Sequence, residues 1–372
     1  MELPRFKLER YFARHEFSAG HLLACSDCEP LSMEELLSMA DQETGEIWRS
    51  LRLGYTESAG HPVLRREIAA TYEGIEPSSV VVAAPEECIF LTMTALLAPG
   101  DHVVCTFPGY QSLYEIARSL GCEVSFWKPD EADSWRFDPA DLGKLLRENT
   151  RLVAVNFPHN PTGSLLSQGE FESVIAQARD IGATLLADEM YRHLEFEEGR
   201  TLPAACELYD RALSLSGLSK VYGFPGLRLG WLATADSEAL NRVCEMKDYT
   251  TICLSAPSEV LGIIALRNRG AIIDQQLARV RRNLARLDEF FGDFADCLRW
   301  NRPRGGSIGF PRVECAEDTD GFCAELVERA DIMLLPGSVF SYGKRHVRIG
   351  FGREDLPEVL DRFAEYLAKR FR

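Results

Sequence analysis

Arg151-Leu-Val-Ala-Val-Asn156 and Ala183-Thr-Leu-Leu-Ala187 are two short apolar runs, with a helical pattern over 168–181 between them. Runs so short and so apolar read as strands covered on both faces, and strands joined through a helix of that length lie parallel. The alternation extends both ways. Upstream come a strand at Val80-Val-Val-Ala83, a helix from Ile89 to Leu97 stopped by Pro99-Gly100, and a strand at His102-Val-Val-Cys-Thr106. A helix from Gln111 to Leu120, a strand at Glu123-Val-Ser-Phe-Trp127 and a helix over 139–148 follow, and a further strand falls near 212–216. The pattern predicts an α/β fold: a large domain with a mainly parallel sheet covered by helices on both faces.

In such a sheet a ligand binds beyond the carboxyl ends of the strands, so the polar residues just after each strand are the candidates. Strand 102–106 runs into Phe107-Pro-Gly-Tyr110, strand 151–155 into Asn156-Phe-Pro-His-Asn160-Pro-Thr-Gly163, and strand 183–187 into Asp188-Glu-Met-Tyr191. The strand near 212–216 leads to Ser219-Lys220, with Arg228 eight residues past the lysine. A partly desolvated lysine amine is a covalent catalyst toward an aldehyde. A guanidinium fork beside small hydroxyls suits a phosphate.

The flanks differ in character. Gly54 to Pro62 is a turn-rich connector, and a helix is expected from Pro62 to Tyr72. Beyond Trp231, Ile273, Leu277, Val280, Leu284, Leu287, Phe291 and Phe294 recur at spacings of four and three. That makes one long apolar helix face, best suited to packing between two domains. A smaller α+β unit then reads as strand 307–313, helix 319–329, strand 332–335, strand 346–350 and a final helix. The expected division is an N-terminal small-domain segment over 1–50, a large domain over 51–270, and the C-terminal part of the small domain over 271–372.

The composition, 46% hydrophobic and 26% charged, is that of a soluble globular protein. A net charge of −16 argues against nucleic acid, which needs a basic footprint. No apolar run reaches the roughly 18 residues of a membrane span, and Met1-Glu-Leu-Pro-Arg-Phe-Lys7 has no signal-peptide core, so a cytoplasmic location is expected. The 11 cysteines, among them Cys88, Cys105, Cys244 and Cys253 in apolar surroundings, are expected as reduced, buried thiols. Cys25-Ser-Asp-Cys28 stands without a second pair, so no metal is expected.

Tyr55, Pro108-Gly-Tyr110, Asn160-Pro-Thr-Gly163, Asp188-x-x-Tyr191, Ser219-Lys220, Arg228 and Arg348 occur in an order and spacing that resembles the fold-type I, class I/II aminotransferases dependent on pyridoxal 5′-phosphate. The resemblance implies that Lys220 forms a Schiff base with the cofactor aldehyde and then moves the substrate proton. It implies that Asp188 pairs with the pyridine nitrogen, and that Tyr191 and Asn160 donate to the cofactor's phenolate oxygen. Tyr110 would stack on the ring, while Ser219 and Arg228 would hold the phosphate. Tyr55 would reach that phosphate from a neighbouring subunit, so a homodimer with shared active sites is implied. Arg348 would take the substrate α-carboxylate as a bidentate pair. The substrates implied are an amino acid and a 2-oxo acid.

The sequence departs from that family in three places. The phosphate loop reads Ala83-Ala84-Pro85-Glu86-Glu87 where glycine and a hydroxyl are usual. Pro85 has no N–H, so the N–H groups of Glu86 and Glu87 are expected to serve, with both carboxylates turned away. Gly217 stands where relatives often place Ser or Thr, and Cys25 to Glu29 replaces a glycine-containing apolar stretch. Within the family, Asn156-Phe-Pro-His-Asn-Pro161, Leu218-Ser-Lys-x-Tyr-Gly-x-Pro-Gly-Leu-Arg228 and Lys247-Asp-Tyr-Thr-Thr251 most resemble capreomycidine synthase-like members, which cyclise a hydroxylated arginine. Amino transfer, elimination or replacement, and cyclisation all fit the same residues. A non-catalytic aminotransferase-fold binding protein is a further alternative, although regulators of that type carry an N-terminal DNA-binding domain and this acidic chain begins almost directly with family-like sequence.

Overall fold

In the computed structural model, which describes every residue except Met1, Glu198, Arg200 and Arg372, the alternating pattern closes into one seven-stranded sheet. Four helices precede it: α1 (Lys7–His15), α2 (Met33–Ser38), α3 (Gln42–Ser50) and α4 (Pro62–Ala69). The sheet region then runs β1 (Val80–Ala83), α5 (Pro85–Leu96), β2 (His102–Thr106), α6 (Ser112–Ser119), β3 (Glu123–Trp127), α7 (Pro139–Leu145) and β4 (Thr150–Asn156). It continues with α8 (Gln168–Asp180), β5 (Thr184–Asp188), α9 (Ala205–Leu208), β6 (Ala212–Gly217) and β7 (Gly230–Ala233). The spatial order is β1-β7-β6-β5-β4-β2-β3. Only β7 runs against its neighbours, so the sheet is mainly parallel as expected.

Side chains leave successive strand positions on opposite faces, and both faces are covered. On β4, Leu152 and Ala154 pack into one cluster with α5 and α6, whereas Val153 and Val155 pack into another with α8. The first helix of this region begins earlier than the sequence suggested, at Pro85 instead of Ile89. Proline suits the first helical turn, where its missing N–H costs nothing.

After the sheet come α10 (Ser237–Lys247), α11 (Ala256–Arg267) and the long α12 (Arg269–Asp293). The C-terminal unit consists of β8 (Leu298–Arg299), β9 (Ile308–Gly309), β10 (Arg312–Val313), α13 (Thr319–Ala330), β11 (Leu335–Pro336), β12 (Val347–Gly350) and α14 (Leu356–Phe371). The expected strand over 307–313 is therefore two strands, β9 and β10, in different sheets. Pro311 lies at the break, where it cannot donate to a ladder. On α12, Val280, Leu284 and Leu287 are buried as expected, but so are the polar Gln276, Arg279 and Asn283. Gln276 donates to Glu29 O at 2.7 Å and Asn283 to Phe351 O at 2.9 Å, both backbone carbonyls, while Arg279 Nη1 donates to the Gln276 side-chain oxygen.

One pair of cysteines departs from the expected reduced state: Cys297 and Cys315 form a disulfide, while Cys88, Cys105, Cys244 and Cys253 are free. The cause is register. Leu298 pairs with Val313 across β8 and β10, and Glu314 N–H donates to Cys297 O at 2.8 Å, bringing the two cysteines side by side. Among the described residues no helix is long and apolar enough to cross a membrane.

Residues 20–29 thread across this C-terminal unit. His21 bridges to Ile332, Gly350 N–H donates to Leu23 O at 2.7 Å, and Glu29 N–H donates to Gly352 O at 3.0 Å. A Cβ on Gly350 would strike Cys25 O, and one on Gly352 would strike Asp27 O. Both glycines are thus required by close backbone approach.

Candidate active site

A cavity of about 490 Å³ opens at the carboxyl edge of the sheet. At its floor the ends of β4 and β5 lie in register, Asn156 beside Asp188. Asn156 ties them together: its Nδ2 donates to Asp188 O at 2.9 Å and its Oδ1 accepts from Asn160 N–H at 2.7 Å. The turn carrying Asn160 is thereby fixed relative to Asp188. The Asp188 carboxyl is buried and accepts from Met190 N–H at 3.2 Å. Burial raises its pKa to about 6, opposed by that N–H and by Lys220. Lys220, three residues past β6, lines the same cavity, and its Nζ donates to Ser26 Oγ at 2.8 Å.

Arg348 enters from β12 and is 2% exposed. Its Nη2 donates to Ala24 O at 2.9 Å and its Nη1 to Asn160 Oδ1 at 3.3 Å, leaving Nε without a partner. Phe12 and Phe340 lie about the guanidinium, 5.9 and 5.6 Å from ring centre to Cζ. Burial lowers its pKa. The Tyr191 and Ser219 hydroxyls are also buried without a partner. Buried groups left unsatisfied cost about 1–3 kcal/mol each, so several such groups around one cavity mark a place built for a ligand.

Beside them is the amino end of α5, where backbone N–H groups favour an anion. Its unusual loop and Gly217 explain one another. A Cβ on Gly217 would come within 2.9 Å of Gly230 Cα and 3.2 Å of the Pro85 ring, and one on Gly230 within 2.8 Å of that ring. The backbone at Leu229 and Gly230, and then the Pro85 ring, thus fill the room a larger residue at 217 would need. Arg228 lines the cavity on the exposed side and holds a left-handed conformation, φ 52°, closing the turn Pro225–Leu227.

Glu86 lines the cavity, and its carboxylate is hydrogen-bonded to Ser112 Oγ, with Oε2 buried and unpartnered. Burial raises its pKa. Glu87 accepts from Thr250 Oγ1 at 2.5 Å and Thr251 Oγ1 at 2.8 Å. Tyr110 lines the cavity and donates to Glu9 Oε1 at 3.1 Å, with its ring 5.2 Å from Phe6. Tyr55 is 89% exposed and does not line the cavity of its own chain.

The sequence reading missed one wall. Helix α1 brings Leu8, Glu9 and Phe12 over the cavity, with Glu16 just beyond, and the segment after it brings Ser26 and Asp27. Asp27 is paired with Arg353 at 2.7 Å. The spacing of Leu8 and Phe12 marks one side of a helix, but nothing local says that this side closes a pocket.

A lysine beyond β6, a buried carboxyl at the end of β5 and the amino end of α5 beyond β1, all at one edge of a doubly covered sheet, define a pyridoxal-phosphate-dependent enzyme of fold type I. Residues 40–367 match the family model "Aminotransferase class I and II", and the chain belongs to that family. It is 32% identical to capreomycidine synthase of Streptomyces vinaceus over 376 residues, covering 100% of this chain and 95% of that one. An aspartate aminotransferase of Pyrococcus horikoshii is 26% identical, with 84% and 83% covered. Among solved structures, a PLP-dependent aminotransferase from Streptococcus suis superposes with a TM-score of 0.93 at 29% identity over 100% of both chains. The PLP-dependent cyclase OrfR gives 0.91 at 30% identity, over 100% of this chain and 98% of that one.

Proposed function

We propose that this protein moves an amino group between an amino acid and a 2-oxo acid, working in the cytoplasm as a homodimer. The observation that carries the reading is that Lys220, Asp188 and Arg348, from three different strand ends, line one cavity. The residues present fit the cofactor, because the unpartnered Ser219 and Tyr191 hydroxyls and the free end of α5 face the same space. When bound, the cofactor supplies an aldehyde for amines and a ring that takes up the electrons of a deprotonated Cα. Lys220 would hold the aldehyde and afterwards carry the Cα proton. Asp188 would pair with the ring nitrogen, whose positive charge would draw the carboxyl back toward its ionised form. Tyr191 and Asn160 would donate to the ring oxygen, and Tyr110 would cover the ring face. Ser219, Arg228 and the N–H groups of Glu86 and Glu87 would hold the phosphate, with Tyr55 of a second copy. Arg348 would grip the α-carboxylate through Nε and an Nη.

A second reading is elimination or cyclisation on the same scaffold. The likeness to capreomycidine synthase favours it, and so do the carboxylates of Glu9 and Glu16 at the cavity wall, which suit a cationic substrate side chain. One experiment separates the two. The loaded protein is given a panel of amino acids, basic ones included, without any oxo-acid acceptor. Amino transfer yields one equivalent of 2-oxo acid per site and no ammonia. Ammonia released over many turnovers, or a donor consumed over many turnovers with neither 2-oxo acid nor ammonia formed, replaces the first reading with the second, and no spectral response to any donor removes both.

A further inference from the structure

Lys220 Nζ donates to Ser26 Oγ at 2.8 Å, across 194 residues of sequence. The segment carrying Ser26 is held from several sides. Ser307 Oγ donates to Ser26 O at 2.7 Å, Cys28 N–H donates to Lys220 O at 3.3 Å, and Gln276 Nε2 donates to Glu29 O at 2.7 Å. Asp27 is paired with Arg353, and Glu29 O presses on Gly223, where a Cβ would meet it at 2.5 Å. Ser26 is therefore a fixed point, and the flexible partner in the contact is the lysine.

A lysine that serves an aldehyde cofactor has two covalent states. It is bonded to the aldehyde, or it is a free amine because the substrate's amine has taken its place. Nζ can donate to Ser26 in this way only as an amine, the form in which it would take up the Cα proton. A free lysine side chain has considerable rotamer entropy to lose before it can act at one place. A neutral hydroxyl restrains it without the strong stabilisation of the ammonium form that a carboxylate would give.

We propose that Ser26 is a positioning residue for the catalytic amine, accepting a hydrogen bond from Lys220 Nζ and holding it at the substrate Cα. When the Cα–H bond breaks, Nζ would take the proton while the cofactor would supply the acceptor for the electron pair; Ser26 exchanges no atom. This rests on the cofactor-lysine reading above.

The test compares wild type, Ser26→Ala and Ser26→Thr in two assays. In the first, loaded protein in D₂O is mixed with L-arginine, L-aspartate or L-alanine, and loss of the Cα proton is followed by NMR. Ser26→Ala is expected to slow exchange ten- to a hundredfold at unchanged cofactor content and unchanged amino-acid affinity, and Ser26→Thr to restore it. In the second, unloaded protein captures pyridoxal 5′-phosphate and the absorbance rise is timed across pH. Ser26→Ala is expected to slow capture, and Ser26→Thr to match wild type. Exchange and capture by Ser26→Ala within twofold of wild type overturn the proposal. So does a loss that Ser26→Thr fails to rescue and that tracks a lower melting temperature, because Ser26 would then only hold its segment in place. If wild type exchanges none of the three amino acids, the functional reading is in question, and the capture assay alone decides Ser26.

Discussion

Asp188 is under two opposed demands. Its ordinary pKa of 3.8 is raised to about 6 by burial in the ligand-free protein. Below pH 4 folded and unfolded chains both hold the proton, and nothing is lost. From pH 4 to 6 the unfolded chain releases it first, so folding weakens across that window and stays weaker above it. A rise of this size is worth about 3 kcal/mol. Asp188→Asn is therefore expected to make the unloaded protein up to about 3 kcal/mol more stable at pH 7, and no more stable near pH 4, as read by urea unfolding. The same change is expected to weaken cofactor binding in a spectral titration. Lys220→Ala is expected to lose several orders of magnitude in turnover, because the nucleophile works as a unit with its partners. Asp188, Asn160, Tyr191 and Lys220 were legible because each follows a buried apolar strand, and that position says where the side chain must emerge. Ser26 was not legible, because its meaning comes from a residue 194 positions away.

At the level of elements, Pro85 and Gly217 form a matched pair across the start of α5 and the end of β6. Gly217→Thr would restore a hydroxyl common among relatives but would drive its Cβ toward the Leu229 carbonyl and the Pro85 ring. Overpacking of this kind costs about 1–3 kcal/mol. The variant is expected to melt lower and, because Pro85 starts α5, to hold pyridoxal 5′-phosphate more weakly. Adding Pro85→Gly should recover only the part of the loss due to the ring, because the Leu229 carbonyl and Gly230 Cα stay within 2.9 Å of the new Cβ, and a double variant no better than the single one would show that the two residues are not coupled. Six of the seven strands of the large sheet and helices α5 to α8 could be read from the sequence pattern, but the short antiparallel β7 could not. The two-residue strands of the C-terminal unit could not, since β8, β9, β10 and β11 are too short to carry an alternation. The buried face of α12 was read as purely apolar because a sequence does not show that Gln276 and Asn283 would find carbonyls to hold.

For the whole molecule, several exposed apolar side chains lie on the loop carrying Tyr55 and on the loop joined to it through Lys247. Leu53 is 86% exposed and Tyr249 88%, and Lys247 joins the two loops by donating to Ser58 O and Ile252 O, each at 2.7 Å. A second copy seated there, as the proposed homodimer requires, would cover them and bring its own Tyr55 to this cavity. Tyr55→Ala and Lys220→Ala are each expected to be nearly inactive alone. Co-expressed, they should recover roughly a quarter of wild-type activity, because half the dimers are mixed and each mixed dimer has one intact site. Recovery no greater than the sum of the two parents would place Tyr55 outside the partner's site. The threading of residues 20–29 also bears on the order of assembly. Ala24 O must wait for Arg348, 324 residues later, before it is satisfied. On the ribosome the sheet can close around Lys220 well before this strap can seat, and contacts so distant in sequence form slowly. The nascent chain is therefore left with an open-topped pocket until synthesis is almost over, and catalytic competence arrives last.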